Sequence, residues 1–158
     1  IAPQGVGACL AAALGLEDIS VIEPIENTAD GVWGLLRMGT VAPQPLETFL
    51  LHVKQQLHTP AVRYASASEK VHRVAVGGGA CADEWKSAFA AGCDAFVTAD
   101  ARYNDFWDAR DAGLTLIDAG HFYTENPVCT YLQQILQEAF PEIRVVLSQV
   151  HQDCMKFY

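Results

Sequence analysis

Hydrophobic and polar positions repeat with two different periods along the chain, and each change of period marks a secondary-structure element. Between residues 46 and 57, apolar side chains recur at the spacing of one helical face, and Pro45 suits the first turn of that helix. From residue 71 onward, short apolar runs alternate with amphipathic stretches. These runs predict the strands VHRVAVG, DAFVTA, LTLIDAG and IRVVLSQ, separated by the helices ADEWKSAFAAG, DFWDARDAG and PVCTYLQQILQEAF.

The alternation of strands and helices predicts the fold class. Upstream, GVGACLAAALGL reads as a short helix closed by Gly15, and ISVIEPI and GVWGLLRMGTV read as strands. We therefore predict an α/β fold of three layers, with a largely parallel or mixed sheet and helices on its faces. We divide it into a central α/β lobe over residues 1–127 and a C-terminal helix and strand over residues 128–158.

Composition and charge narrow the classes of function. The 158 residues are 51% hydrophobic, enough for one domain with a sizeable core, and no apolar run reaches the roughly 18 residues of a membrane span. The net charge of −9 repels phosphate backbones and anionic lipids, so we expect neither a nucleic-acid nor a membrane partner. Five widely spaced cysteines without a C-x-x-C pair predict reduced thiols and a cytoplasmic location.

A glycine-rich turn follows the strand VHRVAVG. Residues 77–82 fit G-x-G-x-x-A, and Asp100 ends the next strand near the place where an acid holds a ribose in dinucleotide-binding folds. However, the acids at positions 83 and 84 would repel a pyrophosphate at the helix start. We favour a turn that lets the backbone pack closely and keep a dinucleotide site as the less favoured alternative.

The stretch LIDAGHFYTENP places candidate ligands where a strand ends. His121 and Glu125 offer an imidazole and a carboxylate, which suit a borderline cation such as Zn²⁺, Mn²⁺ or Fe²⁺. Asp118 is expected to orient the imidazole, and Thr124 or Asn126 to cap the helix that begins at the next proline. The alternative is an ordinary helix start with a solvated acid, which the spacing alone favours.

Aspartates crowd the stretch TADARYNDFWDARD. We interpret Asp108 and Asp111 as a solvated helix face paired with Arg110 and Arg102, and retain only Asp100 as a site candidate. The chain has no G-x-S-x-G motif, so covalent acyl transfer has no support.

Several of these motifs together resemble one family. The stretch from VHRVAVGGG through GCDAFVTADARYNDFWDARDAGLTLIDAGHFYTE is similar to the C-terminal half of the Nif-three-like (NGG1-interacting factor three-like) dinuclear metal proteins, also called GTP cyclohydrolase 1 type 2 homologues. GVWGLLRMGTVAPQPLETF resembles the G-x-G-R-x-G segment of that family. The resemblance implies that His121 and Glu125 are two of five residues holding two divalent metal ions. From their positions beside this pair, we expect Asp118, Asp100 and Thr124 to lie around the metals or the substrate.

The resemblance also implies what is missing from this chain. The other metal ligands of the family lie in an H-T-x-x-D segment upstream of a stretch like GVGACLAAALGL, and so would precede Ile1. We therefore expect a fragment that binds metal weakly and has little activity alone, with residues 128–158 placed to pack on an absent N-terminal lobe. The chain also departs from the family, with Thr98, Ala99 and Asp100 in place of T-G-D and Asn104 where a histidine is common.

Two functions follow from the resemblance. The first is a dinuclear metal-dependent hydrolase, acting on an unknown small molecule such as a nucleotide or another phosphoester. The second is a non-catalytic, metal-loaded scaffold that self-associates into a toroidal homohexamer.

Overall fold

The fold is described from a computed structural model that covers residues 1–157. Its strands are β1 (Glu17–Ile22), β2 (Glu26–Thr28), β3 (Gly31–Trp33), β4 (Leu36–Pro45), β5 (Arg63–Ala65), β6 (Lys70–Val76), β7 (Ala95–Thr98) and β8 (Thr115–Asp118). Its helices are α1 (Val6–Ala13), α2 (Leu46–Leu57), α3 (Trp85–Ala90), α4 (Tyr103–Ala112), α5 (His121–Glu125) and α6 (Pro127–Ala139), and a 3₁₀ turn spans Ala82–Glu84.

Six strands form one mixed sheet in the order β1-β4-β6-β7-β8-β5, and β2 pairs with β3 as a separate hairpin. The three central strands, β6, β7 and β8, run parallel, because α3 and α4 carry the chain back between them. Strands β1, β4 and β5 are antiparallel to their neighbours. The predicted α/β fold is therefore confirmed, with a sheet that is mixed rather than all parallel.

Helices cover both faces of this sheet, since successive strand side chains point to opposite sides. On one face, Val74 and Val76 of β6 pack with Phe49 of α2 and Leu10 of α1. On the other face, the intervening Ala75 belongs to a second core cluster with side chains of α3 and α4. Three layers result, as the alternating pattern predicts.

Some boundaries differ from the sequence prediction for local reasons. GVWGLLRMGTV forms parts of two strands rather than one, because the residues before Gly34 pair with β2 and those after it pair with β1 and β6. Helix α2 begins at Leu46, with Pro45 as the last residue of β4. AVRYAS, which has no clear periodicity, contributes the short edge strand β5.

The predicted strand IRVVLSQ is wrong: residues 140–157 form neither helix nor strand. The backbone of this segment bonds instead to glutamines of α6, with Gln137 Nε2 donating to Ile143 O at 2.8 Å and Gln133 Nε2 to Val145 O at 3.0 Å. A strand needs a neighbouring strand, and these side chains satisfy the backbone groups without one. The division into residues 1–127 and 128–158 stays a prediction.

The predicted ion pairs of α4 are partly confirmed. Arg110 pairs with Asp111 at 2.8 Å, but Arg102 pairs with Asp105 at 2.9 Å and with Asp83 instead of reaching along the solvated face. No helix described within residues 1–157 is both long and apolar enough to cross a bilayer.

Candidate metal centre

The candidate site lies where the parallel strands β7 and β8 end side by side, with Thr98 opposite Asp118. The chain leaves β7 through Asp100 and leaves β8 through Gly120, which adopts φ of +87° and turns directly into α5. Ligands of α/β proteins bind beyond the carboxyl ends of parallel strands, and the topology therefore places Asp100 and α5 at the expected edge.

Within this site, His121 contacts two carboxylates. Its Nδ1 lies 2.7 Å from Asp100 Oδ2, and its Nε2 lies 3.4 Å from Glu125 Oε2. All three side chains are about half exposed. The hydrogen bond to Asp100, helped by the charge of Glu125, raises the pKa of His121 above its ordinary value. In the neutral imidazole, Nδ1 keeps its proton to donate to Asp100, and the lone pair on Nε2 faces Glu125.

Asp100 reaches the imidazole from an unusual backbone conformation. Its φ of +56° lies in the left-handed region, where aspartate is more tolerated than most residues but still strained. Such strain often occurs at functional sites. Here it turns the carboxylate of the β7 loop toward His121, 21 residues further along the chain.

The glycine-rich turn closes the site from the side of β6. A Cβ on Gly79 would lie 2.5 Å from Glu125 Oε1 and 3.2 Å from His121 Nε2, so a side chain at this position would displace the pair. Gly79 N also donates to Thr124 Oγ1 at 3.0 Å. The geometry fits the close-packing interpretation of this turn, and the dinucleotide alternative gains no support because α5 covers the free side of Gly79.

Asp118 does not orient the imidazole, and Thr124 does not cap α6. Both side chains bond to backbone groups around the site instead. The carboxylate of Asp118 accepts Gly120 N at 2.9 Å and Ala101 N at 3.1 Å and also pairs with Arg63, so Asp100 takes the orienting contact that we expected from Asp118. Buried Thr124 lies inside α5, with Oγ1 3.1 Å from Gly120 O. Because its hydroxyl is used inside α5, Thr124 does not cap α6. Asn126 does not cap α6 either, since its side chain makes no capping hydrogen bond.

The donor pair fits a cation but does not complete a site. Two ligands held at about 2.1 Å from a tetrahedral ion lie about 3.4 Å apart, which matches the separation of His121 Nε2 and Glu125 Oε2. An imidazole nitrogen and a carboxylate oxygen suit Zn²⁺, Mn²⁺ or Fe²⁺. Within residues 1–157, however, no group of three or more His, Cys, Asp or Glu side chains is placed to hold a metal ion.

Comparison with known proteins identifies the family. Residues 1–154 match the model of the Duf34/NIF3 family, NGG1p interacting factor 3. The chain belongs to the DUF34/NIF3 family. It is 34% identical over 138 residues to the GTP cyclohydrolase 1 type 2 homolog of Nostoc sp. and 34% identical over 122 residues to that of Staphylococcus aureus. These matches cover 85% and 76% of this chain, but only 51% and 33% of the two relatives, so the chain spans about half of one relative and about a third of the other.

Solved structures show the same NIF3 fold. A hypothetical protein of Staphylococcus aureus superposes with a TM-score of 0.87 at 26% identity, covering 99% of this chain and 65% of that one. A Bacillus cereus protein related to NIF3 gives a TM-score of 0.89 at 20% identity, covering 98% of this chain and 70% of that one. The fold of residues 1–157 is therefore shared by larger proteins, one of which is described as related to NIF3.

Proposed function

We propose that His121 and Glu125 bind a divalent metal ion in a dinuclear centre, and that the protein is a metal-dependent hydrolase of a small molecule such as a nucleotide or another phosphoester. The observation that carries the metal proposal is the 3.4 Å separation of His121 Nε2 and Glu125 Oε2 at an exposed strand end. Membership of a family whose relatives are called GTP cyclohydrolase 1 type 2 homolog supports the hydrolase proposal.

Each side chain of the site has a part in this proposal. His121 and Glu125 hold the ion, and Asp100 keeps the proton on His121 Nδ1 so that Nε2 is free to bind. Gly79 leaves the space in which both side chains converge, and Asp118 positions the loops that carry them. A metal pair, when bound, lowers the pKa of a water molecule and polarises the substrate.

The test is metal binding by titration calorimetry and elemental analysis with Zn²⁺ and Mn²⁺. Two protein ligands are fewer than the three or four of typical zinc sites, so we expect weak binding by this chain. A version extended upstream should bind about two ions per chain, as bridged pairs require. We expect His121→Ala and Glu125→Gln to lower the affinity of either version by at least about tenfold.

The matched control is His72→Gln, since the exposed His72 contacts only the backbone of Val41 through its ring and lies outside the site. Equal metal affinity in His121→Ala and in His72→Gln would refute the assignment of the ligands. Loss of affinity in His121→Ala alone would support it.

A second candidate function is a non-catalytic, metal-loaded scaffold that self-associates, as a toroidal homohexamer in the form that the family resemblance implies. It is favoured by the exposed apolar side chains Leu132 and Leu136 of α6 and Phe140 just after it. Hydrolysis of a phosphoester that is lost in Glu125→Gln supports the hydrolase, whereas metal uptake without turnover of any nucleotide or phosphoester supports the scaffold. The free thiols of all five cysteines support a cytoplasmic location for either.

A further inference from the structure

A second concave surface lies between α4 and the edge strand β5. Its cavity of about 600 Å³ is within the range of about 300 to 1,000 Å³ that is typical of small-molecule sites. Tyr64, Tyr103 and Trp107 line it and are 49%, 74% and 45% exposed. Large aromatic side chains are seldom left so exposed together without a contact to make. We call this surface the aromatic cleft.

The charged side chains that line the aromatic cleft have the opposite sign to the net charge of the chain. Although the net charge is −9, the charged side chains that line the cavity are Arg63 and Arg110, and no carboxylate of residues 1–157 is among its lining residues. Arg110 stacks 4.1 Å from the ring centre of Trp107, and Arg63 lies 5.5 Å from that of Phe106. A local cationic surface on an acidic protein selects anionic ligands.

Both guanidinium groups keep donors for a ligand. Arg63 uses Nη2 for Asp118 and for Ala101 O, and Arg110 uses Nε and Nη2 for Asp111. Among the described residues, Nε and Nη1 of Arg63 and Nη1 of Arg110 make no hydrogen bond. Guanidinium groups fixed by one carboxylate and by aromatic stacking are well oriented to bind phosphate oxygens.

We infer that the aromatic cleft binds a planar aromatic phosphate, of which a nucleoside monophosphate is the simplest example. The base stacks on the exposed ring of Tyr103, which stands at 65° to the ring of Trp107, while Trp107 holds Arg110 in place. The phosphate bonds to the free donors of Arg110 and Arg63. Stacking on aromatic rings tolerates any base, whereas the arginines require the anion. This site is formed by residues of this chain alone and needs no metal ion at His121.

The experiment is titration calorimetry of the metal-free chain, in buffer containing a chelator, with AMP, adenosine and inorganic phosphate. We expect AMP to bind with a Kd at or below about 1 mM, and adenosine and phosphate to bind at least about tenfold more weakly, since each supplies only half of the contacts. Tyr103→Ala and Arg110→Gln should each weaken AMP binding by about tenfold.

Each variant has a control outside the cleft. Phe157→Ala removes another exposed aromatic ring, and Lys86→Gln removes a cation that lies 5.6 Å from the ring of Trp85. Unchanged AMP binding in both controls, with thermal unfolding like that of the wild type in all four variants, supports the inference. The inference is overturned by any of three results: no saturable AMP binding, phosphate binding as tight as AMP binding, or AMP affinity unaltered in Tyr103→Ala and Arg110→Gln. None of these results bears on metal binding, since the chelator removes the ion.

Discussion

At the scale of single residues, Gly15 and Gly79 have the same backbone conformation but different surroundings. Gly15 and Gly79 have nearly the same φ, +66° and +68°, so an L side chain strains the backbone equally at both. A Cβ on Gly15 meets nothing within 4 Å, whereas a Cβ on Gly79 meets the ends of Glu125 and His121. The two positions thus differ only in what the new methyl group touches.

We predict that Gly15→Ala and Gly79→Ala each lower the free energy of unfolding by about 1 kcal/mol, because both force alanine into the left-handed region. Glu125 and His121 are flexible enough to move aside, so Gly79→Ala adds little to this cost. Their displacement should weaken metal binding by about tenfold in Gly79→Ala alone. Urea unfolding and metal titration of both variants check this, and equal metal affinities would contradict it.

Of the two contacts of His121, the sequence predicts only the one with Glu125. The pair His121 and Glu125 is visible in the sequence because a helix brings residues four apart together. The partner of His121 is not, since Asp118 is nearer in sequence but its carboxylate is already bonded to the loop amides of Ala101 and Gly120. Asp100 comes from the neighbouring strand end, and only the parallel pairing of β7 with β8 brings it within reach.

At the scale of elements, the carboxylate of Asp105 caps the start of helix α4. Asp105 accepts Arg102 N at 2.8 Å and is itself buried beside the Arg102 guanidinium. The hydrogen bond from that side chain holds the pKa of Asp105 below its ordinary value of 3.8. Because the pKa of Asp105 is lower in the folded state than in the unfolded state, its ionised form stabilises the fold.

We predict that Asp105→Ala lowers the free energy of unfolding by about 1 kcal/mol at pH 7, as the loss of a helix cap does. The stabilisation from Asp105 is fully present above pH 3.8 and is lost as the pH falls through the lower pKa of the folded state. The difference between wild type and Asp105→Ala should therefore shrink at pH 3. Chemical unfolding at both pH values tests this, with exposed Asp108→Ala as a control that should show almost no difference.

Elements also differ in how far the sequence predicts them. Strands β6, β7 and β8 are recovered because each is a short apolar run that ends at a loop, and β7 and β8 are buried on both faces. The helices between them are recovered because each has one apolar side. IRVVLSQ has the same apolar character but lacks a pairing strand within residues 1–157, and its backbone bonds to α6 instead. An apolar run in the sequence is therefore not enough to predict a strand, because a strand also needs a neighbouring strand to pair with.

At the scale of the whole molecule, α6 leaves apolar area uncovered. None of its 13 residues is buried. Leu132 and Leu136, one helical turn apart on the same side, are 45% and 43% exposed. Phe140, just after the helix, is 48% exposed. An apolar helix side without a covering element favours association with another surface.

We predict that the chain self-associates through this side of α6. Leu132→Glu combined with Leu136→Glu should shift the sedimentation coefficient to that of a monomer, because charges in an apolar interface are not paired. Leu51→Glu on α2 is the matched control, since Leu51 is 55% exposed and lies on another helix. A wild-type chain that sediments as a monomer at all concentrations would disprove the prediction.

Helix α5 is five residues long, from His121 to Glu125, and the candidate ligands stand at its two ends. One residue corresponds to about 100° of rotation in a helix. Insertion or deletion of a single residue between positions 121 and 125 would therefore swing Glu125 out of line with His121, whatever residue is added or removed. Any descendant of this gene that keeps the candidate site should therefore preserve the number of residues between His121 and Glu125.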